Sequence, residues 1–182
     1  PAGRALPRLR RHQLQSAGRP IRRWHPLFPD PSILTNVLQD ALFKNVQLTI
    51  PGWTQWRVDS LWVSNCSFTV ATPSFVLGVT QSLTIHSNGV LKLYPATVDC
   101  HTLVLTNGGQ FWVTAGPTTT VNRFGAEIRV TDGLWIGAGS WVYAFADPTN
   151  GGIPRFQTGA LTVQNGGGIR ADNAGFQGSY GP

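Results

Sequence analysis

The sequence predicts an all-β fold in which successive coils of the chain stack into a solenoid, and three features support this prediction. Hydrophobic residues make up 41% of the 182 positions and charged residues only 12%, so the chain can bury a core. The 21 glycines and 13 prolines favour turns and short strands over helices. One phrase, an asparagine or aspartate between two apolar alternations, recurs at intervals of 20, 22, 20, 25 and 33 residues, and such a period is typical of solenoids.

The recurring phrase has the same anatomy in six segments. An alternating apolar pair, a polar turn residue and a second alternating pair make two short strands that meet at a bend. The segments are ALFKNVQLTI from residue 41, LWVSNCSFTV from 61, LTIHSNGVLKL from 83, LVLTNGGQFWV from 103, IRVTDGLWI from 128 and LTVQNGGGIRA from 161. Their turn residues are Asn45, Asn65, Asn88, Asn107, Asp132 and Asn165. Asn-Gly-Gly turns also occur in hairpins, but the period of 20 to 25 residues favours stacked coils.

The first 29 residues differ from the rest of the chain. Seven of the 14 basic residues and no acidic residue lie in the first 25 positions. Residues 1–29 have no apolar period of 2 or 3.6, so we expect a basic, extended or disordered arm. Residues 30–182 are expected to form the solenoid domain. The chain starts without Met and ends in mid-phrase at GFQGSYGP, so we expect a processed product or a fragment whose coils continue beyond 182.

A short helix is expected just after the arm. Residues 30–43, DPSILTNVLQDALF, carry apolar side chains at helical spacing. Asp30 can cap a helix, and Pro31 suits its first position. Such an amphipathic helix would cover the open end of the solenoid. It competes with the first repeat segment for residues 41 and 42, so only one of the two interpretations can hold there.

The segment LTVQNGGGIRADNAGF, with its asparagine at a recurring turn, resembles the right-handed parallel β-helix proteins. This group includes pectate-lyase-like enzymes, phage tailspikes and secreted bacterial adhesins. The resemblance covers about residues 41–175, is architectural and carries no reaction with it. It implies a solenoid of about five to six coils, in which the six turn residues form a hydrogen-bonded ladder.

Three residues are candidates for polysaccharide chemistry: Asp99, Glu127 and His101. A hydrolase or lyase needs two or three carboxylates on one outer face as acid, base or calcium ligands. Asp99 and Glu127 each precede a first strand and could crowd along one corner together with Asp59. Acids in such positions are more often solvated turn residues, so we lean against an enzyme. One Cys beside one His, as at 100–101, cannot complete a zinc site, and no metal or cofactor is predicted.

The outward positions of the repeat carry aromatic and basic side chains. The middle position of the second strand is occupied in turn by Thr49, Thr69, Lys92, Trp112, Trp135 and Arg170, and that of the first strand by Leu42, Trp62, Thr84, Val104, Arg129 and Thr162. Tryptophan beside Lys or Arg on an outer face is suited to stack on sugar rings or on a partner protein. The predicted binding residues are therefore Trp62, Lys92, Trp112, Trp135 and Arg170. The alternative is that another chain, or the segment 139–156, covers these rings.

These features favour a structural or adhesive module at the cell surface or outside the cell. Its expected partners are other copies of the chain, bound through coil ends with open strand edges or through an outer aromatic face, or a surface polysaccharide. The second hypothesis is a polysaccharide-active enzyme of the pectate-lyase-like type, and the third is binding of nucleic acid or an anionic surface by the arm. No apolar run approaches the roughly 18 to 20 residues of a membrane span. Cys66 and Cys100 fall at different phases of the repeat, so no disulfide is predicted.

Overall fold

The computed structural model describes residues 37–38, 46–48, 52–118, 123–149 and 151–172. Every helix or strand element in these residues is a strand, which confirms the all-β prediction for this part of the chain. The strands are β1 (Val37–Leu38), β2 (Val46–Leu48), β3 (Gln55–Val58), β4 (Leu61–Ser64), β5 (Ser67–Val70), β6 (Phe75–His86), β7 (Val90–Leu93), β8 (Ala96–Leu105), β9 (Gln110–Thr114), β10 (Gly125–Ile136), β11 (Trp141–Phe145), β12 (Ile153–Val163) and β13 (Gly168–Arg170).

The strands form two sheets, and from β4 onward the chain alternates between them. Sheet I has the order β1-β4-β6-β8-β10-β12, with β3 also paired to β6, and sheet II has the order β13-β11-β9-β7-β5-β2. All of these pairings are parallel. Hairpin strands would pair antiparallel with their neighbours in sequence, so the hairpin alternative is wrong for the described strands.

Parallel pairing places similar apolar side chains above one another in the core. In sheet I the register aligns the buried residues Leu61, Leu83, Leu103 and Leu134. In sheet II it aligns Phe68, Leu91, Phe111 and Val142, which are also buried. Both columns belong to one core cluster. Each inward side chain therefore packs on its counterpart in the neighbouring strand of the same sheet, about 4.8 Å away.

A tight turn leads from a strand of sheet I into the next strand of sheet II after β6, β8, β10 and β12. Its first residue accepts a hydrogen bond from the N–H of its fourth residue, and the pairs are Gly89 to His86, Gly109 to Thr106, Ser140 to Gly137 and Gly167 to Gln164. Asn107 and Asn165 are second residues of their turns, whereas Asn88 is a third residue. The asparagines therefore do not share one position along the stack. Asn65 also lies at a turn, with φ of 49°, and Asn45 lies outside the described residues.

Asp132 is not a turn residue, which corrects the sequence prediction. It lies inside β10, at a register shift between Val130 and Gly133. The Asp-Gly pair has turn chemistry, but the flanking residues of β10 pair with β8 and β12 on both sides, so the chain forms a bulge there and stays in the sheet. The tight turn that follows β10 lies at Gly137–Ser140.

The expected helix is wrong where the structure describes it. Val37 and Leu38 form β1, which pairs with Trp62 and Val63 of β4. Inter-strand hydrogen bonding here outweighs the local helical spacing of the apolar residues, because propensity is only a weak preference. The other positions of the expected helix and the whole of residues 1–29 lie outside the described residues.

The close contact between one of these turns and the neighbouring strand depends on glycine. Asn107 and Gly108 have φ of 51° and 81°, which is the backbone of a type I′ turn. The next residue, Gly109, lies so close to β6 that a Cβ would overlap the carbonyl oxygen of Ile85. The turn can therefore pack against β6 only if the residue at position 109 has no side chain.

We expect Gly109→Ala to lower the free energy of unfolding by about 1–3 kcal/mol, because the new methyl group must displace backbone. Urea denaturation measures the change. Gly133→Ala is the matched control, since the nearest atom to its Cβ would be the Ala160 carbonyl oxygen at 3.9 Å, and we expect it to stay within about 0.5 kcal/mol of the parent. Equal stability of the two variants would contradict this account of the turn.

Both cysteines are buried thiols, and no disulfide joins them, as the sequence analysis predicts. Cys100 lies in the core column between Val79 and Val130. Burial, with a smaller contribution from the charge of Asp99, raises the pKa of the Cys100 thiol from 9.0 to about 12. The thiolate is the reactive species, so the folded protein protects this sulfur.

At pH 8 we expect neither thiol to react with a thiol reagent until the protein is unfolded in guanidinium, when both become titratable. The folded Cys100 keeps its proton between about pH 9 and pH 12 while the unfolded thiol loses it, so stability should fall as pH rises through that window. Cys100→Ser should weaken this decline. Rapid labelling of one thiol in the native protein at pH 8 would count against a sealed core.

Candidate functional site

Two tryptophans lie in one outward column of sheet I. The register aligns Trp62, Thr84, Val104, Trp135 and Thr162 across β4, β6, β8, β10 and β12. The side chains of Trp62 and Trp135 are 45% and 40% exposed. The sequence prediction assigned Trp135 to the second strand of its coil, because it took Asp132 for the turn. Trp135 belongs to β10, on the same face as Trp62.

The two indoles flank a floor of short side chains. Trp62 and Trp135 are separated by three strand spacings, or about 14 Å, and only Thr84 and Val104 lie between them in the column. The ring of His86 meets Trp62 edge to face, with centroids 5.4 Å apart, and so fixes its orientation. This arrangement, termed here the tryptophan platform, is a shallow surface with an aromatic ring at each end.

Trp112 lies on the other sheet and is covered by its own chain. It stacks on Tyr143, with centroids 4.4 Å apart, and on Phe145, at 5.4 Å. The Nζ of Lys92 lies 4.5 Å from the centre of its ring, and its Nε1 donates a hydrogen bond of 3.0 Å to Gln110. The indole faces are therefore occupied, and this column on sheet II is an internal stack of aromatic and basic side chains.

Arg170 extends the same column on sheet II. It follows Tyr143 in the register of β11 and β13. Its guanidinium lies 4.3 Å from the centre of the Trp141 ring and 3.6 Å from the carboxylate of Asp172. The five predicted binding residues thus divide into Trp62 and Trp135 on sheet I, and Lys92, Trp112 and Arg170 on sheet II. Tyr143 was missed, although the alternation of WVYAF on either side of it indicates an outward position.

Asp99 and Glu127 meet on the outer face of sheet I, but an arginine joins them. Arg129 donates a hydrogen bond of 3.1 Å to Asp99 and another to Glu127. Arg155 contributes a second cation, 3.5 Å from Glu127. Burial lowers the pKa of Arg129, but the hydrogen bonds and charges of Asp99 and Glu127 outweigh it and raise the pKa overall. Both carboxylates are therefore held as ion pairs, which suits a binding surface better than proton transfer.

The other predicted acid-base residues do not join this pair. His101 hydrogen-bonds through Nδ1 with the hydroxyl of Thr131, 3.0 Å away, so its structural partner is a neutral group. Asp59 makes no ion pair with any described residue, and its backbone oxygen accepts a hydrogen bond from Gln81. The third carboxylate that a polysaccharide lyase would use is therefore not found beside Asp99 and Glu127 among the described residues.

Three clefts on the outer face of sheet I share Arg129 in their lining. The largest, of ≈ 580 Å³, also contains Pro73, Pro95, Phe124 and Glu127. The second, of ≈ 380 Å³, contains Arg57, Gly78, Asp99 and His101, and the third, of ≈ 350 Å³, contains Gln157 and Thr158. Arg129 is therefore the centre of an interrupted groove. Sequence reasoning placed Arg129 on an outward face but did not identify it as a binding residue.

In the part of the chain that the structure describes, no three His, Cys, Asp or Glu side chains come together as a metal site. No helix long and apolar enough to cross a membrane occurs there.

The chain was compared with protein-family models, with curated proteins and with solved structures, and none of the three comparisons gives a match.

Proposed function

We propose that the chain is a right-handed parallel β-helix. Three observations support this proposal: the strands from β4 onward alternate between two sheets, all the described strand pairs are parallel, and the inward side chains form shared columns. Each coil then contributes one strand to sheet I and one to sheet II. The tight turns at one end and the connections 71–74 and 94–95 at the other would close the coil.

On this scaffold we propose an adhesive module, at the cell surface or outside the cell, that binds polysaccharide across the tryptophan platform. The observation that carries the proposal is the exposure of Trp62 and Trp135, by 45% and 40%, in one outward column. An indole presents a broad apolar face and a single N–H, which matches the alternating apolar and hydroxylated surfaces of a sugar ring. Thr84 and Thr162 add hydroxyl groups in the same column.

The platform suits an extended chain better than a small molecule. A drug-sized ligand usually enters a concave pocket that buries most of its surface, whereas the floor between the indoles consists of Thr84 and Val104 on adjacent strands. Two rings about 14 Å apart can each stack on a different sugar of one polymer. Because the two sugars belong to one polymer, stacking of the first sugar on one ring raises the effective concentration of the second sugar at the other ring.

Trp62→Ala and Trp135→Ala should each weaken polysaccharide binding about 5- to 30-fold, the usual effect of removing an aromatic anchor. Affinity electrophoresis against a panel of soluble polysaccharides measures the change. Tyr94→Ala is the control, because Tyr94 is also exposed but lies outside the column. Unchanged retardation of both tryptophan variants would overturn the platform, and release of reducing ends by the parent protein would assign a polysaccharide-active enzyme instead.

A second candidate function, self-assembly through a coil end, is favoured by one further observation. Leu161, Val163 and Ile169 align with the buried residues Leu134, Ile136 and Val142, yet they are 53%, 44% and 43% exposed. Their strands, β12 and β13, are the outermost described strands of the two sheets. Among the described residues, β12 and β13 thus present core-type side chains and a strand edge without a further parallel neighbour, which is the chemistry that another copy of the chain would cover.

If the coil end mediates assembly, Leu161→Asp should shift the protein towards monomer, because a buried contact would have to desolvate a charge. Sedimentation velocity over a range of concentrations measures the shift. Ile153→Asp provides a matched control, since Ile153 is equally exposed but lies next to Pro154 on the outward side of β12. A parent protein that is monomeric at all concentrations would dismiss this candidate.

A further inference from the structure

Some arginines on the outer face of sheet I form no ion pair with the carboxylates of that face. Three arginines and two carboxylates line the two larger clefts, namely Arg57, Arg123, Arg129, Asp99 and Glu127. Both carboxylates are paired with Arg129, and Glu127 is paired with Arg155 as well. Arg57 and Arg123 form no ion pair with any described residue. The groove therefore presents two guanidinium groups on either side of a neutralised centre.

The position of Arg57 follows from a missing side chain next to it. The register of β3, β6, β8 and β10 aligns Arg57, Gly78, Asp99 and Arg129 in one outward column. Because Gly78 has no side chain, Arg57 lies across it, with Cγ and Nη1 both 3.4 Å from the position that a Cβ would take. The guanidinium is held at the edge of the ≈ 380 Å³ cleft, where it can meet a ligand.

The rest of the cleft lining supplies neutral hydrogen-bonding groups. Thr80, His101 and Thr131 line the cleft beside Gly78. Hydroxyl and imidazole groups can donate or accept hydrogen bonds, as the hydroxyl groups of a sugar require. Arg123 lines the neighbouring cleft together with Pro73, Pro95 and Phe124, whose apolar surfaces suit the face of a ring.

We propose that these clefts bind a glycan that carries anionic groups, sulfate or carboxylate, with one group paired to Arg57 and another to Arg123. A guanidinium binds such groups through two parallel hydrogen bonds. Arg129 keeps Asp99 and Glu127 neutralised, so that they do not repel the ligand. The ligand is a chain and not a free ion, because the two arginines line different clefts that are joined through Arg129.

This site is separate from the tryptophan platform. It uses the beginning of the long strands of sheet I, before the register shift, whereas Trp62 and Trp135 pair beyond it. The two sites therefore respond to different substitutions. A failure of the tryptophan variants to weaken binding would leave this proposal standing, and the reverse also holds.

The test measures binding of the 182-residue chain to immobilised heparin, which is sulfated, to hyaluronate, whose charges are carboxylates, and to uncharged dextran. Arg57→Gln and Arg123→Gln should each weaken binding to the recognised polyanion about tenfold, the usual effect of losing a charged hydrogen bond. Their binding should also depend less on salt. Gly78→Val should act in the same direction, because it fills the space that Arg57 crosses.

Arg170→Gln is the matched control. The sequence analysis grouped Arg170 with the binding residues, but the structure places it on sheet II, over the Trp141 ring and paired with Asp172, so this variant should bind the polyanion like the parent. Binding to heparin alone would identify sulfate as the recognised group, and binding to hyaluronate alone would identify carboxylate. Equal binding to dextran would overturn the proposal. Unchanged binding of the Arg57 and Arg123 variants would overturn the proposal as well. If replacing Arg8, Arg10 and Arg11 by Gln then abolished binding, the polyanion would be assigned to the N-terminal arm.

Discussion

Parallel backbone pairing between neighbouring strands of each sheet is the constraint on which the rest of this structure depends. Once β6 is paired to β8 and β8 to β10, each side chain lies directly beside the side chain of a residue about 20 to 30 positions away in the sequence, on the same face of the sheet. Inward columns must then be apolar throughout, and outward columns become surfaces with one side chain for each strand. Core and surface therefore follow from the same hydrogen bonds.

The sequence predicted the all-β class because inward positions alternate with period 2 and turn residues recur between the apolar segments. The prediction was wrong where local chemistry and register disagree. The Asp132-Gly133 pair has the residue types of a turn, but pairing with β8 and β12 keeps it within β10. Because of this one error, the sequence analysis assigned Trp135 to the wrong sheet. Likewise Val37 and Leu38 have helical spacing but form a strand, because the edge of β4 offers them hydrogen-bond partners.

The candidate sites were less predictable than the fold, since they depend on which side chains face each other across strands. Asp99 and Glu127 could be placed near one another from the repeat alone, but their shared partner Arg129 could not, because side-chain pairing requires the register. Trp62 and Trp112 look alike in the sequence. One is exposed and the other lies against Tyr143, since only sheet II places a second aromatic residue directly beside it.

The register shift in sheet I has a consequence for how this chain can change in length. Thr80 and Gln81 of β6 lie opposite the single residue His101 of β8, and β10 again has two residues where β12 has only Gly159. Pairing resumes in register on both sides of this point. One position in each of these long strands of sheet I can therefore gain or lose a residue without disturbing the core columns. Insertions and deletions in evolution have a permitted place here, beside the clefts that a ligand would contact.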